Sequence, residues 1–314
     1  MVRWLLVGVG DIARKRVIPA ILAEPRSQLY GVVTREASKA EAYPGVAAWA
    51  TLDAALEDEA MDAVYLASPV ALHAPQAIAC LKAGKHVLCE KPAAINYVEA
   101  ERMVEAARET GKLLGISYYR RLYPKLMRAK ELIAEGRIGQ AVVAEANCHG
   151  WLESEERGWL RDPALAGGGP LYDIGSHRID AMNFLFGRPV RATGLLSNAV
   201  HAMEVEDSAT VLIAYAGGVH AVVDVRWNSR VARDQFRVVG TEGEMSLDPL
   251  GGPSLRVAAR GIVHEELLPT DANVHAPLVG NFVEAVLDGT PLACPAEEAV
   301  WTDWVTGQVV GGRT

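Results

Sequence analysis

Residues 7–21 read VGVGDIARKRVIPAI, directly after the apolar run WLL. A strand that ends on Gly8, Gly10 and Ala13 has the G-x-G-x-x-A spacing of a dinucleotide-binding turn. The first glycine permits a tight turn, and the second lets a pyrophosphate come up against the backbone. The alanine allows the following helix to pack closely on the strand. Asp11, Ile12 and Ala13 then open that helix, whose first N–H groups and positive dipole end favour phosphate. The spacing alone is a weak signal. Its weight comes from what surrounds it.

Outward from the turn, short apolar runs alternate with helix-like periods through the first ~120 residues, a pattern of parallel strands joined by crossover helices. QLYGVVT, DAVYLAS, HVLCE and LLGISYY read as strands, within a six-strand pattern. Thr51 is placed to cap a helix over LDAALEDEAM, and Gly84 and Gly111 end two others. After Tyr119 the texture changes to longer, period-two strands: AVVAEANCH, ATGLLSNAV, ATVLIAYA, GVHAVVDVRW and DQFRVVG. Gly217-Gly218 between two of these is a hairpin signal. The expected architecture is α/β. A doubly wound Rossmann domain over 1–121 is followed by an α+β domain over 122–314, built on a mostly antiparallel sheet.

The formal charge of −8 and the lack of a basic tract argue against nucleic acid as a partner. No apolar run reaches the ~20 residues of a membrane helix, and no basic leader precedes the first strand, so a cytoplasmic location is expected. Cys80, Cys89, Cys148 and Cys294 match no disulfide or zinc spacing, and the histidines no metal-ligand spacing. No metal is expected.

The second strand closes on Thr34 and Arg35, with Glu36 after them. A cofactor lacking a 2′-phosphate is usually held by a carboxylate at this place, whereas a hydroxyl beside a guanidinium suits the phosphate. NADP is therefore favoured over NAD, against the alternative that Arg35 is solvated and Glu36 holds the ribose. Glu90, Lys91 and Pro92 close a later strand, where ligands sit in open α/β sheets. Lys91 can donate to a substrate oxygen or move a proton; alternatively it pairs with Glu90 at the surface. Farther on, residues 167–187 read GGGPLYDIGSHRIDAMNFLFG, with Asp173, His177 and Asp180 on one helical run.

Taken together, GVGDIA, LASPVALHAPQAIACLKAGKHVLCEKP and GGGPLYDIGSHRID resemble the glucose–fructose oxidoreductase / inositol dehydrogenase / rhizopine catabolism (Gfo/Idh/MocA) family over nearly the whole chain. The resemblance implies hydride transfer between a nicotinamide cofactor and a sugar, polyol or related small carbonyl or alcohol. It implies an open second sheet that builds homodimers or homotetramers. Residue by residue, it assigns the family's lysine to Lys91 and its Asp/His pair to Asp173 and His177. It also assigns the NADP-type strand ending to Thr34-Arg35, a turn past the nicotinamide ribose to Ser68-Pro69, and a motif histidine to His73. Val70 stands where many members carry Asn.

His177 is then the leading general acid/base, Lys91 a donor to the reacting oxygen, and Asp173 their orienting partner. The glycines 167–169 are expected to bring backbone close to cofactor or substrate, and Asp180 to be a structural partner of an arginine. Tyr119, Arg120, Trp159 and Arg161 are candidate substrate contacts. Two other readings of the same residues are a cofactor-binding regulator without turnover and a glycosidase that oxidises transiently through a held cofactor.

Overall fold

The computed structural model describes residues 1–153 and 158–312, which divide into two compact units. The first comprises 1–94, 98–119 and 271–300; the second comprises 95–97, 120–153, 158–270 and 301–312. The expected division at residue 121 therefore misses a return: residues 271–300 belong with the first unit. The physical reason is the helix Ala276–Asp288, which buries Leu278, Val279, Phe282 and Val283. Phe282 lies 5.3 Å from the Trp4 ring.

In the first unit six parallel strands run in the order β3-β2-β1-β4-β5-β6. They are β1 Val2–Val7, β2 Ser27–Val33, β3 Ala47–Trp49, β4 Ala63–Leu66, β5 His86–Cys89 and β6 Leu114–Ile116. The reversal between β1 and β4 is the switch point at which such sheets bind nucleotides. Leu5, Leu6, Val64, Tyr65, Val87 and Leu88 are wholly buried. A sheet covered on both faces carries unbroken apolar strands, so period-two alternation is absent here. Thr51 caps Leu52–Leu56, its hydroxyl accepting from the Ala54 N–H at 3.4 Å. Short β3 docks on β2 because Gly31 leaves room for Trp49; a Cβ there would stand 2.3 Å from the indole.

The second unit holds eight strands in the order β14-β13-β12-β11-β7-β10-β9-β8. These are β7 Ala141–Trp151, β8 Pro189–Ser197, β9 Ser208–Tyr215, β10 His220–Arg226, β11 Asn228–Gly240, β12 Gly243–Ser246, β13 Ser254–Ala259 and β14 Ile262–Leu267. All pairs are antiparallel except β7 with β10. The β9–β10 hairpin turns at Gly218, with φ +85°. On β10 Ala221, Val223 and Val225 are buried and the residues between them are not. The buried side faces the helix Ser176–Phe186 and the turn preceding it.

Lys125 is fully buried in this unit, donating to the carbonyls of Leu247 (3.2 Å) and Pro249 (2.5 Å). Burial lowers its ammonium pKa to about 8. Cys80, Cys89 and Cys294 are buried and Cys148 is half-buried, and the four are thiols rather than disulfides; burial pushes the Cys80 thiol up to about 12. Among the described residues no helix is long and apolar enough to cross a membrane.

Candidate active site

At the carboxyl ends of the first sheet, Gly8 has φ +91° and its N–H donates to the Val33 carbonyl at 3.0 Å. A Cβ on Gly8 would stand 2.8 Å from the Ala67 carbonyl oxygen, so both conformation and space require glycine. Gly10 is the opposite case. It is exposed, and a Cβ would meet nothing within 4 Å, so its backbone is open to a ligand. Ala13 is fully buried. The residues thus fit the diphosphate of a dinucleotide, Gly10 giving access and the helix start giving N–H donors.

That helix is not uniform. Ala13–Val17 form a π-turn, with the Ile18 N–H reaching the Ala13 carbonyl five residues back, before Ile18–Ala23 resume α geometry. Pro19 has no N–H to contribute to an α ladder at this place. Ile12 is 39% exposed. The Asp11 carboxylate accepts from Arg14 (2.6 Å) and Lys15 (3.0 Å), so its contribution to a cofactor site falls to its backbone.

After β2, the Glu36 N–H donates to the Thr34 hydroxyl at 3.2 Å, and Arg35 is exposed. The Glu36 carboxylate pairs with Lys39 at 2.7 Å. That hydrogen bond, with the charges of Lys39, Arg35 and Arg14, holds the Glu36 carboxyl below its usual range. Three cations therefore surround the strand ending, and the acidic residue among them is already engaged.

After β4, the Ser68 hydroxyl donates to Gln76 at 2.6 Å, and Pro69 leads into a 3₁₀ turn with Val70 buried. His73 was expected among the cofactor contacts. Its ring is 1% exposed, with Nδ1 2.9 Å from the Pro92 carbonyl and Nε2 2.9 Å from the Ser68 carbonyl. The ring thus lies between the Ser68-Pro69 turn and the turn after β5, a neutral imidazole donating to one of the two carbonyls, and burial lowers the imidazole pKa.

Lys91 is half-buried, and the Lys91–Pro92 bond is cis. Glu90, also expected at the cofactor, instead turns its carboxylate inward to Tyr65 (2.7 Å), Ser117 (3.3 Å) and His275 (3.2 Å). Burial would raise the Glu90 carboxyl. The His275 hydrogen bond and charge, the Tyr65 hydroxyl and the Lys91 charge outweigh it and hold the carboxyl low. Tyr119 lies against the His275 ring at 4.7 Å. His275 was missed in the sequence because no local motif marks it; it stands 185 residues from Glu90.

In the second unit the glycine run has a different use from the one expected. A Cβ on Gly168 would meet the Tyr172 ring at 2.4 Å, and one on Gly169 the Glu206 carbonyl oxygen at 2.0 Å. Gly167 has φ +82° and also abuts Tyr172. These glycines make room for the protein's own Tyr172 and Glu206, and Tyr172 donates to the Ile95 carbonyl at 3.3 Å. Leu171–Gly175 is a second π-turn, and Ser176–Phe186 follows as α-helix. Asp173 lies in the wide turn and His177 in the helix, so the two do not share a uniform α-helical face; such turns recur at functional sites. Asp173 is half-buried, and His177 is 6% exposed with Nδ1 wholly buried.

Asp180 has the arginine partner expected of it: Arg121, at 2.7 Å and 3.0 Å. Arg120 lies 5.4 Å over the Tyr123 ring. Trp159 (37% exposed) and Arg161 sit on the short turn Gly158–Arg161. The predicted residues therefore fall into two groups: Arg120, Trp159, Arg161, Asp173, His177 and Asp180 in the second unit, the predicted cofactor contacts, Lys91 and Tyr119 in the first.

Residues 2–118 match an oxidoreductase family with an NAD-binding Rossmann fold, and residues 126–246 match the GFO/IDH/MocA C-terminal domain. A 1,5-anhydro-D-fructose reductase from Ensifer adhaerens is 33% identical over 96% of this chain and 93% of its own length. A dTDP-3,4-didehydro-2,6-dideoxy-alpha-D-glucose 3-reductase from Streptomyces violaceoruber is 33% identical over 91% of this chain and 86% of its own. Among solved structures, an aldose–aldose oxidoreductase from Caulobacter crescentus superimposes with a TM-score of 0.89 at 24% identity, covering 99% of this chain and 98% of that one. A 3-ketoreductase from Actinomadura kijaniata, in complex with NADP and TDP-benzene, gives 0.86 at 25% identity, with 99% and 97% covered.

Proposed function

The chain belongs to the GFO/IDH/MocA family of NAD(P)-dependent sugar oxidoreductases, and from that premise we propose which cofactor it prefers and which residues carry its chemistry. The preferred cofactor is NADP, and the reaction is reduction of a keto-sugar, in keeping with the two reductases among its relatives. The observation that carries the cofactor reading is the cation cluster of Arg14, Arg35 and Lys39 around the Thr34–Glu36 turn. When bound, the nicotinamide supplies hydride to the carbonyl carbon. Lys91 donates a hydrogen bond to the carbonyl oxygen, His177 delivers the proton that oxygen takes up, and Asp173 orients the substrate or the imidazole. Tyr119, Arg120, Trp159 and Arg161 contact the sugar.

The test is fluorescence-detected binding of NADPH against NADH, followed by NADPH oxidation with 1,5-anhydro-D-fructose and a keto-sugar panel. NADPH is expected to bind more tightly. Arg35→Ala should weaken it by about 10- to 100-fold, the 1.5–3 kcal/mol of a charge-assisted hydrogen bond, and change NADH little. Tighter binding of NADH to the unaltered protein would overturn the cofactor assignment.

The same reading places the enzyme in the cytoplasm and assembles it as a homodimer or homotetramer through the second sheet. That assembly is supported by apolar side chains left open on neighbouring strands, Leu195 at 77% and Leu212 at 51% exposure. Light scattering should return two or four chains; a monomer across the working concentration range would exclude it.

A further inference from the structure

A carboxylate as buried as Glu90, 8% exposed, is costly unless donors surround it. Oε1 takes three, from the Tyr65 hydroxyl, the Ser117 hydroxyl and His275 Nε2, and Oε2 accepts the backbone N–H of Lys91 at 3.3 Å. Tyr65 and Ser117 also lie 3.1 Å from each other, on β4 and just after β6. His275 comes from elsewhere in the chain. Its own N–H donates to Asn273 at 3.2 Å, and its carbonyl accepts from Val279 at 3.0 Å. The ring is therefore anchored at the start of the helix Ala276–Asp288.

The ring is 1% exposed, and among the described residues Nδ1 has no hydrogen-bond partner. A carboxylate only accepts, so Nε2 must carry the proton.

We propose that His275 is a positioning residue for Lys91: by donating from Nε2 to Oε1 it fixes the Glu90 carboxylate, whose Oε2 in turn holds the Lys91 backbone. This deepens the reading that Lys91 contacts the reacting oxygen, and rests on it. Because an ångström of misplacement in a catalytic group costs about 10²-fold in rate, a ring that never touches substrate acts on kcat through this chain of hydrogen bonds.

The test uses the full chain labelled with ¹⁵N-lysine and saturated with NADPH, with the Lys91 amide signal assigned through Lys91→Arg. His275→Leu, which removes the donor, is expected to shift that signal. His275→Gln, whose amide nitrogen stands near the Nε2 position, should bring it back toward the unaltered protein. With 1,5-anhydro-D-fructose and NADPH, His275→Leu should lower kcat about 10²-fold with KM held, and His275→Gln should recover most of the loss.

A folded His275→Leu protein with an unmoved Lys91 amide overturns the proposal. So does a shift that Gln fails to reverse, since packing on Tyr119 would then be responsible. Should His275→Leu not fold, Glu90→Gln takes its place: it must move the same amide, and an unmoved signal again overturns the proposal. Failure of the functional reading looks different, with the amide moving as expected while Lys91→Ala leaves turnover intact.

Discussion

Lys91→Ala is expected to lower kcat for keto-sugar reduction by about 10²- to 10⁴-fold, the range of a positioned proton-transfer or donor group. The argument begins with placement. Lys91 follows β5, on the same carboxyl edge as the open Gly10 backbone, with its main chain held by Glu90 and its flanking turn held by His73. An ammonium can hydrogen-bond the carbonyl oxygen as negative charge develops there, an interaction stronger in the transition state than with the ground-state ketone. Removing it should therefore fall on kcat and leave NADPH bound stoichiometrically.

Lys91→Arg is not a conservative rescue, because a planar guanidinium is longer and does not release its proton. His177→Ala should give a loss of similar size. If both residues serve one reacting oxygen, the double variant should lose much less than the product of the two single losses. Stopped-flow NADPH oxidation on the four proteins decides it. Full activity in both single variants would sink the assignment.

What could be read from sequence followed how local the governing physics is. The Gly8, Gly10 and Ala13 turn is legible because each residue answers a requirement of its own backbone or nearest neighbour. The hairpin at Gly217-Gly218 is legible for the same reason. Strand β3 is only three residues long and shows no alternation; β12, β13 and β14 were likewise not located. Residues 271–300 follow the second unit's strands in the chain yet pack with Trp4, and only the fold reveals that.

At the candidate site the limits are sharper. The glycines at 167–169 invited a ligand reading, yet they clear space for Tyr172 and Glu206, and nothing near them in sequence names Glu206. Two π-turns are invisible to any count of helical spacing, though they carry Ala13 and Asp173. The protein partners of the Glu90 and His73 side chains could not be named from sequence, because their positions depend on tertiary structure. His275 carried no signal at all.

Asp180→Ala should cost about 3–5 kcal/mol of stability, which is the penalty for leaving a buried partner charge uncompensated. Arg121 and Asp180 have side chains only 1% and 2% exposed, and they meet through two parallel hydrogen bonds, Nη2 to Oδ1 and Nε to Oδ2. Taken from a domain stability of about 5–15 kcal/mol, that loss is a large fraction of the whole. The guanidinium also lies over the Phe184 ring face, 5.8 Å from its centroid. Burial and the Asp180 charge together push the Tyr215 phenol far up, so it stays neutral and donates to Asn183 at 2.8 Å.

The pair itself need not be stabilising, because desolvating two charges offsets much of their attraction. Replacing both, as Arg121→Met with Asp180→Leu, should therefore cost far less than Asp180→Ala alone. Urea titration separates the cases: Asp180→Ala lowers the midpoint at constant m, and the double variant recovers most of it. Equal losses in the single and double variants would show that packing around the pair, rather than an abandoned charge, sets the cost.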